Sequence, residues 1–437
     1  LVAYVFTKVS VTVYAGALVF QTLLPDTFGS PENAFSAGAV ATVVLTGIYT
    51  VLGGLRAVIY TDAAQAIILL IGSIAITYFG LDKLGGWGVM KEVCRENAAG
   101  FALWRPLSDP GFPWLGVIIA SPIIGIWYWC TDQYIVQRTL SAKNLTQARR
   151  GALFGGFLKL SPVLIFLVPG LMGWALHQQG IIHIPTKVLN GATVINGDQV
   201  FPTMVTTLLP AGLRGVVVAG LLAALMSSLS ALFNSAASLY TVDIHEKLWP
   251  GASQEKLVRV GRFATGVVVL LGLIWIPVMP MISGGGLYQY LQSVQSYLAP
   301  PIAAVFLLGI FWRRINARGA VWGLTTGFIL GMFKITIQAI FGQGKVENPA
   351  FLAAIGDFNF LYFAGVLFAL SILVVIIASL TAPPPKEEQI KGLTFATRTA
   401  KEKQETRASW NWVDVVATLV VLGGVLGIYL YFSFWLN

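Results

Sequence analysis

Charge is scarce in this chain of 437 residues: Asp, Glu, Lys and Arg together make up 11%, against 56% hydrophobic residues. With a mean hydropathy of +0.75, that balance excludes an ordinary soluble domain and places the protein in a membrane. Cysteine is nearly lacking. Cys94 falls in a connection and Cys130 in an apolar span, so a disulfide between them is not expected. The three histidines, His177, His183 and His245, lie in or near loops, without metal-ligand spacing or a nucleophilic partner. Intramembrane hydrolysis would need paired acids, a Ser/His arrangement or a metal cluster, and the central spans offer mainly serines, amides and isolated charges, so no enzyme is expected. The excess of basic residues, a net charge of +9, is scattered among short connections and forms no stripe interleaved with aromatics, which argues against a nucleic-acid partner. An initiator Met and a signal peptide are also missing. Leu1 opens inside a hydrophobic run, and upstream sequence is therefore expected.

What is present is a series of about eleven apolar windows of membrane length, centred near Tyr14, Val44, Leu70, Ile123, Leu164, Met226, Leu270, Ala303, Ile329, Leu370 and Leu422. Each is predicted helical. Their Gly, Ala and Ser content suits helices packed closely within a bundle. Eighteen Lys and Arg residues fall in the even-numbered connections and seven in the odd ones, so the even set is cytoplasmic and the chain starts inside and finishes outside. Residues 1–382 read as one transporter core with flanking helices, 383–411 as a solvated cytoplasmic linker, and 412–437 as a last peripheral transmembrane helix. The sequon Asn144-Leu145-Thr146 lies on the predicted inside and should be idle.

Four groups of residues carry chemistry. Trp127 to Arg138 brings an acid, two amides and four rings to membrane depth, where polar groups are costly and usually functional. Aromatic faces beside hydrogen-bonding groups suit a ligand with an apolar ring face and a hydroxylated rim, as in a sugar. In the span around Met226, Ala224, Ser227, Ser228 and Ala231 fall on adjoining faces and make a small, hydroxyl-rich stripe. Such a stripe serves either close helix packing or a sodium ion held by neutral oxygens. Asp62 follows Gly53-Gly54, which mark a helix break. It reads equally as a first-turn cap or as an ionic group with Arg56 as a local partner. Lys159 has apolar neighbours on both sides, so its ammonium must snorkel, pair or face a polar cavity, with the cavity preferred. Gln292 and Gln295 share a helix face and could bond hydroxyls or pack between helices.

Taken together, these segments resemble the sodium/glucose cotransporter family within the sodium:solute symporters, over about residues 1 to 382. The resemblance rests on the stretch from Gly53-Gly54-Leu55-Arg56 to Thr61-Asp62, then Trp127-Tyr128-Trp129-Cys130-Thr131-Asp132-Gln133 and Ile135-Val136-Gln137-Arg138. It continues through Leu225-Met226-Ser227-Ser228-Leu229, Phe233-Asn234-Ser235-Ala236 and Tyr297-Leu298-Ala299-Pro300-Pro301, in that order. It implies an all-α polytopic membrane fold: a leucine-transporter-like core of two five-helix inverted repeats with extra peripheral helices. The chain would begin in the third core helix, without the first two, and the member would be of bacterial type. The resemblance also implies a sugar site in which Tyr128 stacks on the pyranose, Trp129 lies alongside, and Lys159 and Gln292 bond hydroxyls. Gln295 stands where sugar carriers often have a small hydroxyl residue. A main sodium site would draw on Ala224, Ser227 and Ser228, and a second on Asp62 and Ser230, where Ala231 lacks a hydroxyl that many relatives carry.

The implied activity is inward symport of sodium with a sugar such as glucose or galactose by alternating access, with sodium as cargo and no cofactor. Two alternatives stand beside it: a symporter of the same fold for myo-inositol, a carboxylate or an amino acid, and, more remotely, a membrane sensor or channel. The expected partners are a small-molecule sugar, sodium ions and the lipid bilayer. The expected setting is a cell membrane, a bacterial inner membrane, and the sequence leaves the oligomeric state open.

Overall fold

The computed structural model describes residues 2–24, 27–189, 192–275, 287–342 and 350–436. Lys345, counted above among the basic residues, and the side chain of Arg56 lie outside the described set. Helices of eight or more residues are α1 (Val2–Leu23), α2 (Pro31–Leu84), α3 (Trp87–Arg95), α4 (Trp114–Ile126), α5 (Gln133–Leu140), α6 (Leu145–Leu158) and α7 (Val168–Gln178). A short antiparallel hairpin, β1 (Thr186–Leu189) with β2 (Ala192–Ile195), follows. Then come α8 (Val200–Leu208), α9 (Ala211–Ser238), α10 (Gln254–Trp275), α11 (Leu287–Phe311) and α12 (Ala317–Phe341). The chain closes with α13 (Ala350–Asp357), α14 (Phe360–Leu380), α15 (Ala400–Ala408) and α16 (Trp412–Phe434).

Helix dominates because a bilayer offers no partner to a backbone N–H or C=O, which must therefore bond within its own segment. Among the described residues, ten stretches are long and apolar enough to cross a membrane. Of the eleven windows expected, the first is the exception, since the apolar described part of α1, Val11–Leu23, is shorter. The protein is a multi-pass membrane protein.

Residues 1–98, 159–287 and 436–437 form one compact unit, and residues 99–158 with 288–435 form a second. In the first, α2 packs against α1, α9 and α10. Ser30 starts α2 by accepting the Asn33 N–H at 3.1 Å, with Pro31 in the first turn, and Gly85, at φ +91°, closes it by bonding Leu81 O and Asp82 O. Between these caps the helix runs unbroken through Gly53–Gly54, where a break was expected. Two glycines cost about 2 kcal/mol relative to alanine, whereas a break would leave up to four N–H and four C=O groups without intrahelical partners. The ladder therefore continues, and two apolar stretches, Pro31–Leu52 and Val58–Leu84, share one helix.

In the second unit, α4 ends in a wide turn over Trp127–Thr131, closed by the Asp132 N–H on Trp127 O at 3.0 Å. Asp132 then leaves helical geometry at ψ 112° and caps α5 by accepting the Tyr134 N–H. On α12, Gly319, Gly323, Gly327 and Gly331 are buried at four-residue spacing, facing Val375 and Ser379 of α14 and Tyr297 and Pro301 of α11. A methyl at Gly331 would collide with the Tyr297 carbonyl oxygen, so the backbones approach as closely as only glycine allows. Lys334, one turn on, is fully buried and donates to Ile355 O and Gly356 O at 2.7 Å each, holding the last carbonyls of α13. Both cysteines are free. Cys94 is buried in α3, and burial pushes its thiol up to about 11.

Candidate functional site

The strongest polar constellation lies inside the first unit, where α2 meets α9. The Ser227 hydroxyl donates to Asp62 Oδ1 across the two helices, a pairing of residues 165 positions apart. Ser230, fully buried, donates to the Ser227 carbonyl at 2.9 Å, and the Tyr49 hydroxyl donates to the Met226 carbonyl at 2.8 Å. Asp62 sits well inside α2, so its reading as a helix cap is corrected: its carboxylate serves the neighbouring helix.

The three serines differ in what their hydroxyls bond to. Ser230 bonds back to its own helix, as a packing hydroxyl does. Ser227 turns outward to a carboxylate. Ser228 is half-buried and has no hydrogen-bond partner among the described residues, which leaves its lone pairs for a ligand. Ala224, one turn earlier on α9, is half-buried beside them. The donor set is hard: one carboxylate, hydroxyls and helix carbonyls. Among the described residues no three His, Cys, Asp or Glu side chains come together as a softer or more highly charged cluster would require. A single negative charge among neutral oxygens matches a monovalent cation.

The second unit holds the aromatic segment. Tyr128 lies in the wide turn at the end of α4, edge-on to Trp129 at 5.3 Å and tilted against Trp127 at 6.2 Å. Trp127 is buried with Ile123, Ala299 and Ala303, so this turn is seated against α11, with Tyr128 packed at the edge of the cluster and Trp129 half exposed. Gln292 and Gln295 are half-buried on the same helix, about two turns before Ala299. The geometry thus gathers Tyr128, Trp129, Gln292 and Gln295 on two elements of one unit. Lys159 opens the next stretch of the first unit. It is exposed, in the interruption between α6 and a second wide turn over Val163–Leu167. Wide turns of this kind concentrate at functional sites, and broken helices expose backbone groups to solutes.

Two residues of the α2 cluster escaped the sequence reading. Tyr49 carries a polar tip within an apolar span, and Gln65, three positions after Asp62 and so on its face, has a buried Oε1 with no hydrogen-bond partner among the described residues. The spacing Asp62-x-x-Gln65 was the available signal for the second. Nothing local marks the first.

Comparison with known proteins identifies the family. The model of the sodium:solute symporter family matches residues 1–327. Sodium/glucose cotransporter 4 of Danio rerio is 36% identical over 425 residues, 92% of this chain and 63% of that protein. Sodium/myo-inositol cotransporter 2 of Homo sapiens is 38% identical over 417 residues, 90% and 60% of the two chains. Sodium/glucose cotransporter 1 of Oryctolagus cuniculus is 36% identical over 431 residues, 92% and 64%. The chain therefore spans 60–64% of the length of these relatives. Among solved structures, the substrate-bound outward-open state of a Na+-coupled sialic acid symporter superposes with a TM-score of 0.66 at 20% identity, covering 88% of this chain and 75% of that one. That likeness carries the fold, the expected leucine-transporter-like architecture. A family model matched over residues 1–327, together with the helical fold that this superposition shares, places the chain in the sodium:solute symporter family.

Proposed function

We propose that this chain belongs to a secondary active symporter that couples inward sodium movement to uptake of a sugar such as glucose or galactose by alternating access. The observation that carries the reading is the cross-helix set of Asp62, Ser227 and the partner-free Ser228, an oxygen cage suited to a dehydrated alkali ion. Ala224, Ser227 and Ser228 would hold one sodium, and Asp62 with Ser230 a second. Tyr128 and Trp129 supply ring faces for the sugar, and Gln292 and Gln295, of the same unit, supply donors and acceptors for its hydroxyls.

Sodium has no redox or Lewis-acid task here, since it is cargo. Its binding organises the helices that carry the oxygens, and the solute-binding state is populated as a result. Charge moving inward down the membrane potential contributes about 2.3 kcal/mol per charge per 100 mV, enough with the ion gradient to concentrate a neutral solute.

A second reading, myo-inositol as solute, is favoured by the 38% identity to a protein named for that substrate and by the long amide of Gln295 at the proposed rim. Both solutes are polyols and would use the same residues. The deciding experiment is uptake of labelled glucose into proteoliposomes under a sodium gradient, with potassium replacing sodium in parallel. Uptake is expected only with sodium, with saturation and with competition by galactose. Equal rates in both salts would overturn sodium coupling, and stronger competition by myo-inositol than by galactose would transfer the solute assignment.

A further inference from the structure

Within the second unit, α6 and α16 enclose a groove of about 480 Å³ that the transport reading does not use. Its walls are apolar: Ala152, Leu153 and Gly156 on α6, Val415, Val421 and Leu422 on α16. The space exists because α6 presents small residues at positions four apart, Ala152 and Gly156, where a longer side chain would fill it. A Cβ on Gly156 would meet Val421 Cγ1 at 3.6 Å, an ordinary van der Waals contact.

The mouth is polar and basic. Arg149 lines it, half-buried, and has no hydrogen-bond or ion-pair partner among the described residues. The one acid at the mouth, Asp414, is already neutralised: its Oδ1 pairs with Arg150 Nε at 3.1 Å, and its Oδ2 accepts the Asn411 N–H at 2.9 Å. Arg407 lies over the Trp410 ring at 4.1 Å, adding a second cation beside a lining residue. Trp410 and Trp412 mark the membrane interface at this end. The charge asymmetry of the connections places this end on the cytoplasmic side.

Dimensions complete the case. From Asp414 to Leu422 the groove runs eight residues along α16, about 12 Å, against a half-thickness of about 15 Å for the hydrocarbon core. It therefore descends from headgroup level nearly to the bilayer midplane. An apolar groove of one leaflet's depth, ending in an arginine without a partner, matches one lipid, not a soluble solute. We propose that it binds an anionic phospholipid of the inner leaflet, acyl chain along Gly156 and Val421, phosphate on Arg149.

The test is native mass spectrometry of the delipidated full chain with added palmitoyl-oleoyl phosphatidylglycerol or phosphatidylcholine. The glycerol lipid should be retained about fivefold better, the effect of one arginine at a membrane surface. Arg149→Gln should bring the two lipids to parity, and Arg149→Lys should keep the preference in an equally monodisperse protein. Gly156→Leu, which fills the groove, should lower retention of both. Equal retention of the two lipids by the unaltered chain, an undiminished preference in Arg149→Gln, or displacement of the lipid by millimolar inorganic phosphate would each overturn the assignment. Lipid retention requires no solute uptake, so its failure leaves the transport reading untouched.

Discussion

At the scale of single residues, the acidic side chain of Asp62 is the informative one. Ser227 satisfies one of its oxygens across the helix pair, and a hydrogen bond to a charged group contributes about 1.5–3 kcal/mol. Asp62→Asn keeps an acceptor for Ser227 and removes the charge. The half-maximal sodium concentration for uptake should then rise about tenfold or more. Ser228→Ala, which removes a hydroxyl without a protein partner, should weaken sodium activation with little loss of thermal stability. A sodium dependence unchanged in both variants would return the serines of α9 to a packing role. The serine stripe itself was legible from spacing alone. Its opposition to Asp62 was not, because the pairing joins positions 165 apart and depends on which face of α2 the bundle turns inward.

At the scale of elements, close approach is the governing feature. The four glycines of α12 stand in the sequence at intervals of four, a signal the periodicity reading passed over in favour of polar motifs. Gly331→Ala would push a methyl onto the Tyr297 backbone and should destabilise the fold by about 1–3 kcal/mol, as overpacking does. Gly215→Ala on α9, where nothing lies within 4 Å, should be neutral or slightly stabilising. Thermal unfolding of the two variants in the same detergent measures the difference, and equal melting points would contradict the packing argument. Ten of the eleven expected spans are matched among the described residues because bilayer length and composition leave little freedom. The continuity of α2 through Gly53–Gly54 was misread because two glycines weaken a helix without ending it where the turns on either side are held by packing against α1, α9 and α10. The capping role of Asp132 follows from Asp preceding a short polar helix, yet in the sequence it reads as one more intramembrane acid.

At the scale of the whole molecule, ligand linkage gives a test that needs no solute. A cation held by the native α2–α9 pair and not by the unfolded chain stabilises the protein by about 2.7 kcal/mol at a hundred times its dissociation constant. Sodium chloride should therefore raise the melting point in a saturable way, potassium chloride at equal ionic strength should not, and Asp62→Asn should blunt the shift. A melting point that follows ionic strength alone would remove the ion from the account.

Neither compact unit is a continuous stretch of chain, since the boundary is crossed after residues 98, 158, 287 and 435. The ribosome accordingly delivers Trp127 and Tyr128 some 170 residues before Ala299 and Ala303, the partners that seat them. At 5–20 residues per second that interval lasts on the order of ten to thirty seconds. During it the aromatic turn must wait in the membrane with lipid or the insertion machinery as its neighbour, and its seat is completed only when Ala299 and Ala303 arrive.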